Sequence, residues 1–245
     1  MTTLVVGASG ATGQKLVEQL LSRGGIVKAV VRSTDSLPTH ILNHPNLQII
    51  QAAILDVTDA ELLEQVKGCN AVASCLGHNM TFKGIYGRPR WLVADATRKL
   101  CDAIKANCPE QPVRYVLMNT TGNTNRDIAE KISFGQTLVI WLLRLLLPPH
   151  VDNEKAADYL RTEIGQNSLI EWVAVRPDDL IDDAEISDYE LHPSPIRSAI
   201  FDSGQTSRIN VGEFMAELMT KDDLWQTWKG QMPVIYNKEP SQKSH

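Results

Sequence analysis

Apolar runs and helical stripes alternate along the first half of this chain. Runs such as Leu4-Val5-Val6, Ala29-Val30-Val31 and Val116-Leu117-Met118 are continuous, the pattern of strands buried on both faces. Between them, apolar residues recur three and four positions apart, as Leu16, Leu20 and Leu21 do on one face of a helix. The pattern predicts strand 3–6, helix 11–23, strand 26–31, a short helix near 34–43 and strand 47–52, then helix 58–67, strand 70–76, helix 91–107 and strand 113–119. Strands and helices alternating at this spacing make crossover units. The expected fold is therefore α/β, a doubly wound and mainly parallel sheet covered on both faces. From about residue 126 the rhythm changes, to helices 126–148 and 152–164, strand 170–176, helices near 211–220 and 222–229, and a last strand 232–236.

Bulk properties narrow the picture. The 245 residues, 43% of them hydrophobic, suffice for one large domain, and no Pro/Gly/Ser-rich linker divides them. Residues 1–245 are read as a single nucleotide-binding domain whose part from about 123 to 245 shapes a substrate pocket. A net charge of −5 argues against a nucleic-acid surface, which needs a concentrated basic patch. The first strand begins within three residues of Met1, so no leader is expected and the chain is placed in the cytoplasm. Cys69, Cys75, Cys101 and Cys108 have no Cys-x-x-Cys or His-rich spacing; they read as buried thiols, with no metal site. Residues 138–147 are apolar except for Arg144, but ten residues make about half a membrane span. They read as a buried helix or one wall of an apolar pocket, with no membrane contact.

Candidate chemistry concentrates in residues 3–13, Thr-Leu-Val-Val-Gly-Ala-Ser-Gly-Ala-Thr-Gly. A strand meets three glycines and then a helix N-terminus, the setting for a dinucleotide pyrophosphate. Gly7 permits the turn, Gly10 lets backbone approach phosphate, and Gly13 lets the helix lie close on the sheet. The free N–H groups and dipole of that helix favour negative charge. Expected contacts are Gly7, Ser9, Gly10, Ala11, Thr12 and Gly13.

The spacing is Gly-x-x-Gly-x-x-Gly. Together with Val30-Val31-Arg32, Asp56-Val57, Cys75-Leu76-Gly77, Asn119-Thr120-Thr121-Gly122 and Val175-Arg176-Pro177, it resembles the atypical short-chain dehydrogenase/reductase group. That group includes NmrA-like and biliverdin reductase B/flavin reductase-like proteins. The resemblance covers most of the chain and implies a Rossmann sheet with the later part folded over the strand ends. It also implies an adenine contact at Asp56, with Val57 beside it, and a path for ribose and nicotinamide past Leu76 and Gly77. Asp56 can equally cap helix 58–67, in competition with Thr58 and Asp59. At the end of the second strand Arg32 stands where NAD-binding proteins commonly carry a carboxylate. Arginine pairs with a 2′-phosphate and stacks on adenine, so NADP(H) is favoured as the cofactor.

Classical short-chain dehydrogenases use Ser with Tyr-x-x-x-Lys, in which Lys lowers the Tyr pKa for proton exchange with a carbonyl. Here Thr120 or Thr121 resembles the Ser and Lys155 the Lys, but Val151 stands in place of the Tyr. An alternative register aligns Asn153 with the Lys. Tyr159 lies on the wrong side of Lys155 and reads as packing, while His150 and Asp152 are turned about 100° from the empty slot. Thr120, Thr121 and Lys155 are therefore expected to orient nicotinamide or substrate. Two readings survive. One is an NADPH-dependent reductase of a planar aromatic acceptor, a flavin, quinone or tetrapyrrole, protonated without a catalytic Tyr. The other is a non-catalytic NADP(H)-binding redox sensor or assembly factor of NmrA type. Loop 78–90, with Lys83, Arg88 and Arg90, suggests an anionic, aromatic small-molecule substrate, or contact with the outer cofactor phosphates. His78 can donate a proton there or serve structurally, and Trp141 can wall the pocket. Loops 78–90, 123–150 and 178–207 would enclose it in a monomer or homodimer.

Overall fold

Every apolar run of the first half becomes a strand. The computed structural model describes residues 1–78, 81–130 and 133–238, without the side chains of Lys83 and Phe134; Asn79 and Met80 of loop 78–90 lie outside the described residues. The chain runs β1 (Thr2–Val6), α1 (Ala11–Ser22), β2 (Ile26–Val31), α2 (Thr39–Leu42), β3 (Leu47–Gln51), α3 (Asp59–Val66), β4 (Ala71–Ser74), α4 (Phe82–Tyr86), α5 (Leu92–Asn107) and β5 (Val113–Met118). It continues through α6 (Phe134–Leu146), α7 (Pro148–Tyr159) with a π-helical turn (Leu160–Ile164), β6 (Ile170–Pro177), β7 (Asp179–Ile181), β8 (Tyr189–His192), β9 (Gln205–Ser207), α8 (Arg208–Thr220), α9 (Asp222–Trp228) and β10 (Val234–Asn237).

The main sheet has eight strands in the order β3-β2-β1-β4-β5-β6-β10-β8. All are parallel except β8, which runs antiparallel to β10 at the edge. This is the doubly wound Rossmann-like sheet expected, with its order reversing between β1 and β4. A separate parallel pair joins β7 to β9. Two buried clusters flank the sheet. One packs side chains of α3, α5 and α7, such as Leu62, Leu100 and Ala157, and the other packs α1, α8 and α9, such as Leu16, Phe214 and Trp225. Among the described residues no helix is long and apolar enough to cross a membrane.

Four expectations need correction. The helix expected over 126–148 starts only at Phe134, where Ser133 Oγ accepts the Gln136 N–H as an N-cap. Residues before it are held as a loop, in which Glu130 accepts the Asn125 N–H at 2.8 Å. The next helix starts at Pro148 rather than 152, because proline cannot continue a helix but suits its first turn. Residues 138–147 are not a buried helix: Leu138, Trp141, Leu142, Leu145 and Leu146 are all exposed on α6. Finally, Cys69, Cys75 and Cys101 are buried as expected, but Cys108 is exposed, at the C-terminus of α5. Strands β7, β8 and β9, three or four residues each, are too short for a periodic signal.

Candidate functional site

At the switch point between β1 and β4, the glycines meet three distinct backbone demands. Gly7 has φ +73°, and a Cβ there would lie 2.6 Å from the Cys75 carbonyl at the end of β4. A Cβ on Gly13 would lie 2.1 Å from Gly7 O, so α1 sits directly on the turn. The Gly10 N–H closes the turn onto Gly7 O at 3.0 Å, and Gly10 then serves as the N-cap of α1 with no side chain to cap it. The first helical bond to close is Gln14 N–H to Gly10 O, which leaves the amides of Ala11, Thr12 and Gly13 as donors at the helix start. The first turn carries no acidic residue. Unpaired amides at a helix start, with Gly10 and Ala11 exposed and no carboxylate in the first turn, fit a pyrophosphate in sign.

The turn is braced against the loop after β2. Gln14 Nε2 donates to Ser9 O at 2.9 Å and Ser36 O at 2.8 Å, and Ser36 Oγ donates to Ser9 O. Arg32 is exposed at the start of that loop and pairs with no carboxylate among the described residues. Thr58, not Asp56, caps α3: its hydroxyl accepts from Glu61 N–H while the Glu61 carboxylate accepts from Thr58 N–H. Asp56 is therefore exposed and unused by the helix, with Val57 buried beneath it. Leu76 is half-buried, and the Cβ direction of Gly77 is open.

The end of β5 is tied down by its own polar residues. Asn119 accepts from Thr120 N–H and from Asn123, and its amide donates to Asn153 O on α7 at 3.0 Å. Thr121 is buried and donates its hydroxyl to Asp178 at 2.8 Å, which makes it a brace between β5 and the loop after β6. Thr120 is half-buried; its Oγ1 accepts only the nearby Gly122 N–H. Lys155 Nζ sits 3.6 Å above the ring of Trp91. Tyr159 packs against α5, with Lys105 at its hydroxyl and Arg98 over its ring.

His150 was turned away from the empty Tyr slot by helical geometry, yet its ring reaches the site. Its Cε1 and Thr120 Oγ1 each lie 3.6 Å from the position a Cβ would take on Gly122. Behind it, Nε2 is 3.4 Å from Glu154, which Arg144 grips through both Nε and Nη2. Burial pushes the Glu154 carboxyl up, but the His150 and Arg144 bonds and charges outweigh it and bring its pKa down to about 2. An ionised carboxylate thus stands behind the imidazole, on the side of Nε2. The signal in the sequence is the i,i+4 pair His150 and Glu154. Its partner Gly122 lies on another element, so spacing alone could not place it.

His78 has a structural position. Its Nδ1 faces Gly84 O at 3.2 Å and its Nε2 faces Asp152 at 2.7 Å, while Asp152 accepts the Val93 and Ala94 N–H groups that open α5. Both ring nitrogens are engaged in fixing the loop that contains Arg88 and Arg90, both exposed. Trp141 lies on the exposed face of α6. Arg176, from the Val-Arg-Pro segment, is fully buried; it donates to the carbonyls of Met232, Asn123 and Pro193 and pairs with Glu130 at 2.7 Å. A concavity of about 1030 Å³ lies at the opposite ends of the strands, lined by Cys69, Asn107 and Glu171 among others. It is remote from the glycine turn.

Comparison with known proteins agrees with this geometry. The chain is 30% identical over 223 residues to an uncharacterised chloroplast protein of Arabidopsis thaliana, covering 89% of this chain and 72% of that one. A wide-type short-chain dehydrogenase/reductase from Veillonella parvula, solved in complex with NADP, superposes with a TM-score of 0.68 at 17% identity, covering 99% of this chain and 96% of the other. A protein from Streptococcus pneumoniae assigned as an NADH-flavin reductase gives 0.65 at 18% identity, with coverage of 97% and 100%. At these identities the two structures speak for the fold. The NAD(P)H-binding family profile matches residues 7–222, from the first glycine of the turn to the first residue of α9, and the chain belongs to that family.

Proposed function

We propose that the protein is an NADPH-dependent reductase of a planar aromatic acceptor: a flavin, quinone or tetrapyrrole. The observation that carries this reading is the side-chain inventory where α7 meets the end of β5. Val151 fills the phenol position, Tyr159 is packed on α5, and a threonine and an imidazole border Gly122. Such a site positions and protonates, but it has no activated phenol for a plain ketone. The NADP-bound Veillonella structure and the pneumococcal protein assigned as a flavin reductase support the cofactor and the acceptor class.

In this reading the Gly7, Ser9, Gly10, Ala11, Thr12 and Gly13 backbone receives the pyrophosphate. Arg32 pairs with the 2′-phosphate, Asp56 and Val57 border the adenine, and Leu76 and Gly77 border the nicotinamide side. Bound there, NADPH supplies the hydride. Thr120 Oγ1 hydrogen-bonds nicotinamide or acceptor, Lys155 lends positive charge at the mouth, and Thr121 holds the strand end through Asp178. The acceptor gains two electrons with the hydride, and the matching proton comes from the His150 ring or from water. The part of the chain from about 123 to 245 shapes the acceptor pocket.

The test is loss of NADPH absorbance with a panel of flavins, quinones, biliverdins and simple ketones. Turnover is expected with planar acceptors alone, and His150→Gln should lower kcat more than it raises KM. Turnover of simple ketones that is lost in Tyr159→Phe would overturn the reading. No turnover with any acceptor, despite firm NADP(H) binding, would assign the protein to the non-catalytic sensors.

A further inference from the structure

Helix α6 turns its apolar stripe outward. Leu138, Trp141, Leu142 and Leu145 stand at i, i+3, i+4 and i+7 and are 40 to 68% exposed. A surface helix of a folded domain normally aims that stripe at the core. Among the described side chains of α6, Gln136 and Ile140 are the buried ones. The patch continues past both ends of the helix. At the start, the exposed ring of Phe201 comes within 3.5 Å of where a Cβ on Gly135 would stand. At the end, Tyr86 donates its hydroxyl to Leu146 O at 3.0 Å, and its ring packs 5.0 Å from that of exposed Phe82. Thirteen helical residues make this surface about 20 Å long. An apolar patch of that extent marks a contact surface.

Charge identifies the occupant. The chain has 29 acidic residues and a net charge of −5, yet residues 78–94 and 133–151 contain no carboxylate. They carry Lys83, Arg88 and Arg90 instead, besides Arg144, whose charge is already met by Glu154. Arg88 and Arg90 are exposed, two and four residues beyond Tyr86, and form no ion pair among the described residues. We propose that this face docks the protein on an anionic lipid surface. Helix α6 lies flat in the interface, its leucines and Trp141 enter the headgroup–acyl boundary, and the arginines meet lipid phosphates. The helix rests on the bilayer and does not cross it, since its length falls short of the about 30 Å hydrocarbon core. This contact was not expected from residues 138–147 as a sequence, because their apolar face was read as covered. A second copy is a poorer occupant: a two-fold contact sets Arg88 and Arg90 near their own copies, with no carboxylate in either segment to meet them. The proposal stands apart from the reductase reading, although α6 ends four residues before His150.

Flotation of the full chain with phosphatidylcholine vesicles, and with vesicles containing roughly a third phosphatidylglycerol, tests it. Association is expected only with the anionic vesicles. It should weaken with salt and carry a blue shift in tryptophan emission that Trp141→Phe abolishes, since Trp172, Trp225 and Trp228 are buried and half-buried Trp91 is covered by Lys155. Leu142→Glu/Leu145→Glu should lower the partition at least tenfold with NADP(H) affinity, read by calorimetry, unchanged. Arg88→Glu/Arg90→Glu should lower the partition as well, with an unchanged circular dichroism spectrum. Equal association with both vesicle types, or none with the anionic ones, overturns the proposal. So does a dimer in sedimentation equilibrium that the Leu142→Glu/Leu145→Glu variant dissociates without any vesicle binding; that result would make the face a self-association surface.

Discussion

Arg32 concentrates the choice of nucleotide in one side chain. It is exposed, meets no carboxylate among the described residues, and follows a strand whose end is braced to the glycine turn through Gln14. A guanidinium free to pair with a 2′-phosphate favours NADP(H) through a charge-assisted bond. Arg32→Ala should therefore reduce the preference for NADP(H) over NAD(H) by about tenfold, ~1.4 kcal/mol, in calorimetric titrations of both nucleotides. Cys108 presents a different single-residue effect. It ends α5 at φ +45°, the left-handed conformation that glycine adopts without a steric penalty. Cys108→Gly should raise stability by about 1 kcal/mol, seen as a rise of roughly 2–4 °C in Tm. The glycine turn was legible in the sequence because its demands are local, a positive φ at Gly7 and a close approach at Gly13. His150 was not legible, because its meaning depends on Gly122, which the sheet brings to it.

At the scale of elements, α7 acts as a clamp. Asp152 caps α5, Asn153 O receives the Asn119 amide from β5, and Glu154 holds α6 through Arg144. Three consecutive residues thus bind three neighbours. The Glu154 contact has a pH signature. Its ordinary pKa of 4.5 falls to about 2 in the folded protein, so its contribution is complete above the ordinary carboxylate range. That contribution is lost as pH falls through about 2. The difference in urea midpoint between the parent and Glu154→Gln should be largest at neutral pH and shrink steadily below about pH 4.5. Element order was readable through β5 apart from α4, because the buried strands there are continuous apolar runs and α1, α3 and α5 are long enough to show their period. It failed between 126 and 148 because the loop there is shaped by tertiary bonds to Glu130, and because a proline pair resets the helix at Pro148.

At the scale of the molecule, Arg176 ties together the later part of the chain, from Asn123 to Met232. Its guanidinium is fully buried between Glu130, the Asn123 carbonyl and the carbonyls of Pro193 and Met232. Arg176→Met should cost about 3–5 kcal/mol in denaturant unfolding, because it leaves the Glu130 carboxylate buried without its cation. Val175-Arg176-Pro177, read in sequence as a mark of resemblance, is thus also the bolt of the C-terminal half. The position of β10 has a consequence for synthesis. The last strand of the chain lies not at an edge but between β6 and β8, and supplies β8 with its ladder. Until residues 234–237 have left the ribosome, β1 to β6 can already form a six-stranded sheet, but residues 189–192 have nothing to pair with and β6 presents an open edge. A nascent chain halted before Val234 should consequently be cut by protease after β6 while β1 to β6 stay protected, and release of a chain that includes Val234–Asn237 should close that window in one step.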